Sequence, residues 1–248
     1  MPDDAETQDF ARSFERSPSD LRPVIIEPGF VSSADGSALI SVGGTRVICT
    51  ASVSTKVPKW MVGNGEGWVT AEYSMLPAST GDRKPRDISK GRLDGRSVEI
   101  QRLIGRSLRM GVDFKALGER SVYVDCDVLE ADGGTRCASI TGGYVALHLA
   151  LDELVKAGEI EKHPITTSIA AVSVGMVRGR AVCDLDYSED STADVDANVV
   201  MTGDGGLVEV QATAEQTPLS RASLDELLGM AEAGISELKV AQEAAINR

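Results

Sequence analysis

Three groups of residues combine types and spacing that suit chemistry. Gly133-Gly134-Thr135-Arg136 lies between an alternating apolar stretch, Ser121–Leu129, and a helix-like stretch, Ser139–Lys156. Paired glycines let a backbone turn tightly and approach a ligand closely. Amide groups at a helix start, with a partial charge of about +0.5, favour an anion there. Thr135 adds a hydroxyl, and Arg136 a two-pronged donor for an oxyanion. The second group, Gly95-Arg96-Ser97, opens another helix-like stretch, Ser97–Met110. A cation at a helix start opposes the dipole, and a bound anion would account for it. The third is Asp184-Leu185-Asp186-Tyr187-Ser188-Glu189-Asp190, followed by Asp194 and Asp196. Clustered carboxylates repel unless they share a proton or a cation, and all-oxygen ligation suits Mg²⁺ or Mn²⁺. Singly, each group also fits a plainer reading: a strand–helix turn, a solvated arginine, an acidic surface loop. Together they describe a phosphate pocket facing a carboxylate pair, an arrangement suited to phosphoryl transfer.

Other chemistries find little support. His148 falls inside a helix-like stretch and His163 precedes Pro164, so both read as structural or solvated. With no better placed histidine, neither a Ser-His-Asp triad nor a His-rich metal site is indicated. Gly63-Asn64-Gly65-Glu66-Gly67 precedes a strand rather than a helix, so the dinucleotide fingerprint fails, and no Walker A pattern occurs. Cys49, Cys126, Cys137 and Cys183 form no C-x-x-C pair and are expected to be buried free thiols. No apolar run approaches the roughly 18 residues of a membrane span. The first twenty residues are acidic and polar, without the basic start and apolar stretch of a signal peptide, so a cytoplasmic location is expected.

The elements that must position these groups come next. In 248 residues, 42% are hydrophobic and only 4% aromatic, which implies a core of Val, Ile, Leu and Ala. Residues 1–20 read as a disordered extension and 21–248 as a single folded domain. Strands are expected at Val24–Glu27, Ser37–Val42, Arg46–Val53, Gly67–Tyr73 and Ser121–Leu129. Four more follow at Ser168–Val177, Ala181–Asp186, Ala197–Thr202 and Leu207–Gln211. In the helix Ser97–Met110, Ile100, Leu103, Ile104, Ser107 and Leu108 make one buried stripe. A last helix runs from about Leu219 to Ala245. Residues 78–95 are polar, without apolar periodicity, and read as a long functional loop. Strands and helices come in grouped runs, which indicates an α+β fold.

Four stretches resemble bacterial ribonuclease PH: GWVTAEYSMLP (Gly67–Pro77), GRSVEIQRLIGRSLR (Gly95–Arg109), DCDVLEADGGTRCASITG (Asp125–Gly142) and CDLDYSEDSTADVDANVVMT (Cys183–Thr202). The resemblance covers about residues 20–246, in order. It implies a βαβα-type fold with mixed sheets packed by helices, and a homohexamer built as a trimer of dimers. It implies a phosphate-dependent 3′→5′ exoribonuclease that removes nucleotides after the CCA end of precursor transfer RNA and releases nucleoside diphosphates. The reverse addition and action on ribosomal RNA ends belong to the same expectation. Arg96, Gly134, Thr135 and Arg136 match the family's phosphate-binding positions. Asp190 and Asp196 match its metal-binding carboxylate pair, with Asp184 a neighbour, and Mg²⁺ or Mn²⁺ as the cofactor. Arg83 and Arg86 match positions that contact transfer RNA, and Arg92 is a further candidate. The family's arginine after Leu-Pro is Ala78 in this chain, and Lys84, Lys90 or Arg92 stand nearby as compensation.

A net charge of −13 argues against a nucleic-acid partner, but charge acts locally. Between Gly81 and Arg96, six basic residues stand against three acidic ones, leaving that window at +3. One such loop per subunit would gather into a basic collar in a ring. The alternative is a catalytically silent RNA-binding subunit of an exosome-like ring. Retention of Arg96, Thr135, Arg136, Asp190 and Asp196 speaks for the enzyme.

Overall fold

Alternating apolar residues build two sheets in this computed structural model, which describes residues 11–92, 94–215 and 218–248. The first sheet holds β1 (Val24–Pro28), β2 (Gly36–Val42), β3 (Thr45–Ser54), β4 (Trp68–Met75) and β5 (Ser121–Glu130), in the order β1-β2-β3-β5-β4. Its pairings are antiparallel except β4 with β5, which run parallel. A parallel pair needs a crossover, and α1 (Gly95–Arg109) supplies it. Ile100, Leu103, Ile104, Ser107 and Leu108 form its buried face, as their spacing predicts. The short α2 (Phe114–Leu117) is capped by the Asp113 carboxylate.

The central element is α3 (Thr135–Lys156), buried almost without interruption from Cys137 to Leu147. Such a helix must be covered on several sides. It packs on β2, β3 and β5 of the first sheet and on β6 (Ile169–Val177) of the second. Gly142 permits the approach: a Cβ there would stand 2.7 Å from Ile40 Cγ2 and 3.0 Å from Cys49 Sγ. The second sheet continues with β7 (Arg180–Cys183), β8 (Val195–Thr202) and β9 (Leu207–Ala214), all antiparallel in the order β7-β6-β8-β9. Arg178 and Gly179 both take left-handed conformations, as a two-residue hairpin requires. The one-turn α4 (Tyr187–Asp190) joins β7 to β8. Finally, α5 (Arg221–Ile246) buries Leu227, Ala231, Ile235 and Leu238 against the second sheet. Its buried Gln242 donates to the carbonyls of Thr141 and Ile169, both at 2.9 Å, which pins α5 to α3 and β6. The four cysteines are buried and free.

Three expectations change. First, α3 begins at Thr135, four residues before the predicted start, because a left-handed Gly134 serves as the N-cap where a polar capping side chain would have marked the boundary. Second, the strand expected to reach Asp186 ends at Cys183, because Asp184 turns with a φ of 55°. Third, the extension expected to be disordered through residue 20 is folded from residue 11 onward. Arg12 and Arg16 are buried against the carboxylates of Asp184 and Glu189, a countercharge that apolar patterning does not register. Residues 1–10 lie outside the described residues. Of the expected loop 78–95, the described residues before α1 are irregular apart from a 3-10 turn at Asp87–Lys90, and Gly95 already belongs to α1.

Candidate active site

The turn between β5 and α3 is shaped by main-chain constraints. Gly133 and Gly134 have φ values of 76° and 68°, in the region where L side chains are strained. The Gly134 N-cap offers no side chain to the helix, so the first-turn amides keep their capacity for an anion. Thr45 Oγ1 donates to the Gly133 carbonyl at 2.6 Å and accepts from the Asp132 amide at 2.9 Å. The buried Thr135 hydroxyl lies 2.9 Å from the Tyr73 hydroxyl on β4. Arg136 Nη1 donates to Gln211 Oε1 on β9 at 2.6 Å and lies 3.6 Å from Glu99 Oε2 on α1.

The carboxylate arm follows β7. Asp186 caps α4 by accepting from the Glu189 amide at 3.0 Å, and Glu189 Oε2 accepts from the Asp186 amide at 3.0 Å. This reciprocal box orients the turn that carries Asp190. Asp196 lies on β8, opposite Gly175 of β6 and Thr213 of β9. Although Asp190 is exposed, enough protein crowds its carboxyl that burial pushes the pKa up. Asp196 pushes it further, against the opposing pull of Arg136, Arg96 and Arg22. These influences bring α1, α3, α4 and β8 to one locus: Arg96, Arg136, Asp190 and Asp196 lie within electrostatic range. Two carboxylates set between arginines, the Asp190 carboxyl pushed up by burial and by Asp196, form a donor set that fits a hard divalent cation. Asp184, expected as their neighbour, is instead buried beneath the site and bound by Arg22 at 2.7 Å.

Arg96 is exposed in the first turn of α1 and opens onto a cleft of about 480 Å³. Lys84, Arg86, Glu72, Asp125 and Asp127 line the same cleft. Burial and the neighbouring Glu72 push the Asp125 carboxyl up, and burial does the same for Asp127 against the pull of Arg86. Arg83 and Arg92 are exposed on the loop outside the cleft lining, as is Ala78. Of the substitutes considered for the missing arginine, Lys84 reaches the cleft, and the Lys90 side chain lies outside the described residues. Sequence reasoning missed Tyr73, Gln211, Glu99 and the three arginines Arg12, Arg16 and Arg22. A usable signal existed for the last: an acidic run at 184–190 needs countercharge, and three arginines punctuate residues 12–22.

The two histidines come together far along the chain from these groups. Asp152 places its two oxygens 3.4 Å from His148 Nδ1 and 3.3 Å from His163 Nε2. The Ile165 amide donates to His163 Nδ1 at 3.2 Å. The trio links α3 to the chain entering β6. Burial, then the neighbouring His163, holds the His148 pKa below its ordinary value. A depressed histidine pKa favours the neutral folded form. Its contribution is full above about pH 6.5 and is lost as pH falls. The thermal midpoint should therefore fall more below pH 6.5 in the parent chain than in His148→Gln. Parallel melting curves against pH would count against a buried, neutral His148.

Two family models match the chain: domain 1 of the 3′ exoribonuclease family over residues 20–151, and domain 2 over residues 167–234. The boundary falls between α3 and β6, so each family domain carries one sheet. A curated relative, the ribonuclease PH of Roseobacter denitrificans, is 55% identical over 230 residues, covering 93% of this chain and 97% of its own length. Among solved structures, an Archaeoglobus fulgidus exosome with RNA bound to the active site superposes with a TM-score of 0.77 at 22% identity, covering 94% of this chain and 92% of that one. An archaeal exosome core gives 0.75 at 22% identity, covering 92% and 90%. At that identity the solved structures bear on the fold, an α+β arrangement of mixed sheets and helices, while the family matches and the curated relative bear on ancestry. With its two domain models in order and a 55% identical relative along nearly its whole length, the chain belongs to the 3′ exoribonuclease family.

Proposed function

We propose that this chain is a phosphate-dependent 3′→5′ exoribonuclease acting on precursor transfer RNA beyond its CCA end. The observation that carries this is the match to both 3′ exoribonuclease domain models and to a 55% identical ribonuclease PH along nearly the whole chain, with Arg96, Arg136 and Asp196 all acting on the Asp190 carboxyl. Arg136 and the first-turn amides of α3 hold inorganic phosphate, with Arg96 on the opposite side. One phosphate oxygen attacks the last phosphodiester phosphorus. The new P–O bond forms as the bond to the preceding 3′ oxygen breaks, releasing a nucleoside diphosphate and an RNA one nucleotide shorter. Positioning and charge stabilisation carry most of such a reaction.

Asp190 and Asp196 would hold Mg²⁺ or Mn²⁺, which supplies positive charge against the scissile phosphate. Asp190, whose carboxyl burial and Asp196 push up, would protonate the leaving 3′ oxygen. A single Asp190 oxygen cannot serve both roles in one state. The reverse reaction, extension from nucleoside diphosphates, follows from the same geometry. The test is CCA-extended transfer RNA incubated with and without phosphate. Nucleoside diphosphates should form only with phosphate, and release of monophosphates would refute the reading.

Arg83, Arg86 and Arg92 with Lys84 provide the RNA path, in a homohexameric ring that repeats the basic loop around its opening. The superposed structures belong to exosomes, and the ring is proposed for this chain as their counterpart. A cytoplasmic site of action accompanies this reading, and no helix among the described residues is long and apolar enough to cross a membrane. RNA affinity should fall steeply with added salt. Each loop arginine replaced by alanine should flatten the log–log slope by roughly 0.7 if it meets a single-strand phosphate. Titrations at several salt concentrations measure this, and an unchanged slope for Arg86→Ala would remove that residue from the path.

A further inference from the structure

We propose that Arg22 is a positioning residue that fixes the Asp132–Arg136 phosphate turn and the Asp184–Asp190 carboxylate arm relative to each other. The proposal rests on the phosphorolytic reading above. Arg22 precedes β1 and is 1% exposed. Its Nε and Nη2 donate to the two oxygens of Asp184 at 2.9 and 2.7 Å, and its own amide donates to Asp184 Oδ2 at 2.7 Å. The rest of the guanidinium turns the other way. Nη1 donates to the Asp132 carbonyl, and Nη2 also lies 3.4 Å from the Gly133 carbonyl. One rigid fork therefore spans both halves of the site. Burial works against its charge, but the hydrogen bond and attraction of Asp184 outweigh that and leave the pKa above the ordinary arginine value.

The surroundings are built to make this fork directional. On the turn side, Thr45 holds the same two residues, Asp132 and Gly133, from the sheet below. On the arm side, Asp184 is locked in a left-handed conformation, with its amide donating to the Ser173 carbonyl at 2.6 Å. Arg16 Nη1 donates to the Asp184 carbonyl at 2.8 Å, and Arg12 Nη2 to the Cys183 carbonyl at 2.7 Å. Arg12 Nε also reaches Glu189 at 2.6 Å, the residue next to Asp190 that completes the α4 capping box. The turn and the arm touch directly as well: a Cβ on Gly133 would stand 2.6 Å from the Leu185 carbonyl oxygen.

A buried ion pair is by itself weak evidence for stability, since apolar replacements are often neutral. Arg22 differs because its five hydrogen bonds end on main-chain or carboxylate groups that lead, within four residues, to Arg136, and within six, to Asp190. Loss of the fork should disturb their separation rather than the binding of either substrate. A misplacement of about 1 Å can cost on the order of 10²-fold in rate.

The experiment compares Arg22→Lys, Arg22→Met and Thr45→Val with the parent chain, as purified full-length protein well below each melting point. Steady-state phosphorolysis of CCA-extended transfer RNA gives kcat and the KM for RNA. Calorimetry with inorganic phosphate gives its affinity. The expected result is a kcat lowered by about 10²-fold for the Arg22 variants and about tenfold for Thr45→Val. The RNA KM should stay within about threefold, and the loss should persist in the fully folded sample. A merely stabilising role would instead lower the melting temperature and leave kcat per folded molecule unchanged, which overturns the proposal. Should Arg22→Met fail to fold, Arg22→Lys and Thr45→Val decide by the same criterion. If the parent chain releases no nucleoside diphosphate, the functional reading falls. If the parent is active and the folded variants match its kcat, only the positioning role falls.

Discussion

Arg136→Ala is expected to lower phosphorolytic turnover by about 10²–10³-fold, the range seen when one preorganised charge-stabilising donor is removed. Arg136 stands in the first turn of α3 with its guanidinium held between Gln211 and Glu99, so its direction is set before any substrate arrives. Preorganisation of this kind matters because nothing need reorient as charge develops. Arg136→Lys should recover only part of the loss, since it keeps the charge and forfeits the planar fork. The melting temperature should move little, because the ion pair with Glu99 is partly solvent-exposed and exposed pairs contribute about 0–1 kcal/mol. The measurement is single-turnover release of nucleoside diphosphate at saturating RNA, with phosphate varied. A variant retaining the parent rate would take Arg136 out of the phosphate site.

Gly133→Ala should be strongly destabilising. Alanine at a φ of 76° is strained by about 1–3 kcal/mol. Its Cβ would also stand 2.6 Å from Leu185 O, 2.7 Å from the Asp186 carbonyl carbon and 2.9 Å from the Tyr187 amide. All three are main-chain atoms, so relief requires the turn and the carboxylate arm to separate. Overpacking of this kind adds about 1–3 kcal/mol. Chemical denaturation should therefore show a loss of about 2–6 kcal/mol, from strain and overlap together. Gly179→Ala is the matched control. Gly179 has a similar φ of 73° but nothing within 4 Å of the built Cβ, so it isolates strain from overlap. Equal losses in the two variants would show that the turn–arm contact is slack. Activity should separate them further, because only Gly133 lies where the site's two halves meet.

Sequence carried the chemistry of the site more fully than its scaffolding. The Gly-Gly-Thr-Arg turn, the arginine at the start of α1 and the acidic run stand out because glycine, arginine and aspartate are informative in short windows. The apolar stripe of α1 is equally legible, since only a helix buries Ile100, Leu103, Ile104, Ser107 and Leu108 together. What escaped depends on partners distant in the chain. Arg22 and Asp184 are 162 positions apart, and Arg12 and Glu189 are 177 apart. Nothing local to Arg12 or Arg16 distinguishes a buried clamp from a solvated basic residue in an acidic leader. The start of α3 was obscured for a different reason: its boundary is set by backbone conformation at Gly134, not by a capping side chain. Asp184 read only as a neighbour of the carboxylate pair because burial is invisible in an acidic run, and its φ of 55° even more so.

The long reach of Arg12 and Arg22 also has a consequence in time. Their partners lie at residues 184–189, so a chain emerging from the ribosome exposes the arginines long before the matching carboxylates exist. At roughly 5–20 residues per second, that interval is on the order of ten seconds. During it the first sheet can close and α3 can form, but the turn at Asp132–Arg136 has no arm to face. Competence for phosphate chemistry then appears as one late event, when β6 and β7 dock and the amino-terminal segment closes over α4. A nascent chain halted before Glu189 would be folded in half and inert, with no half-active intermediate loose among cellular RNA.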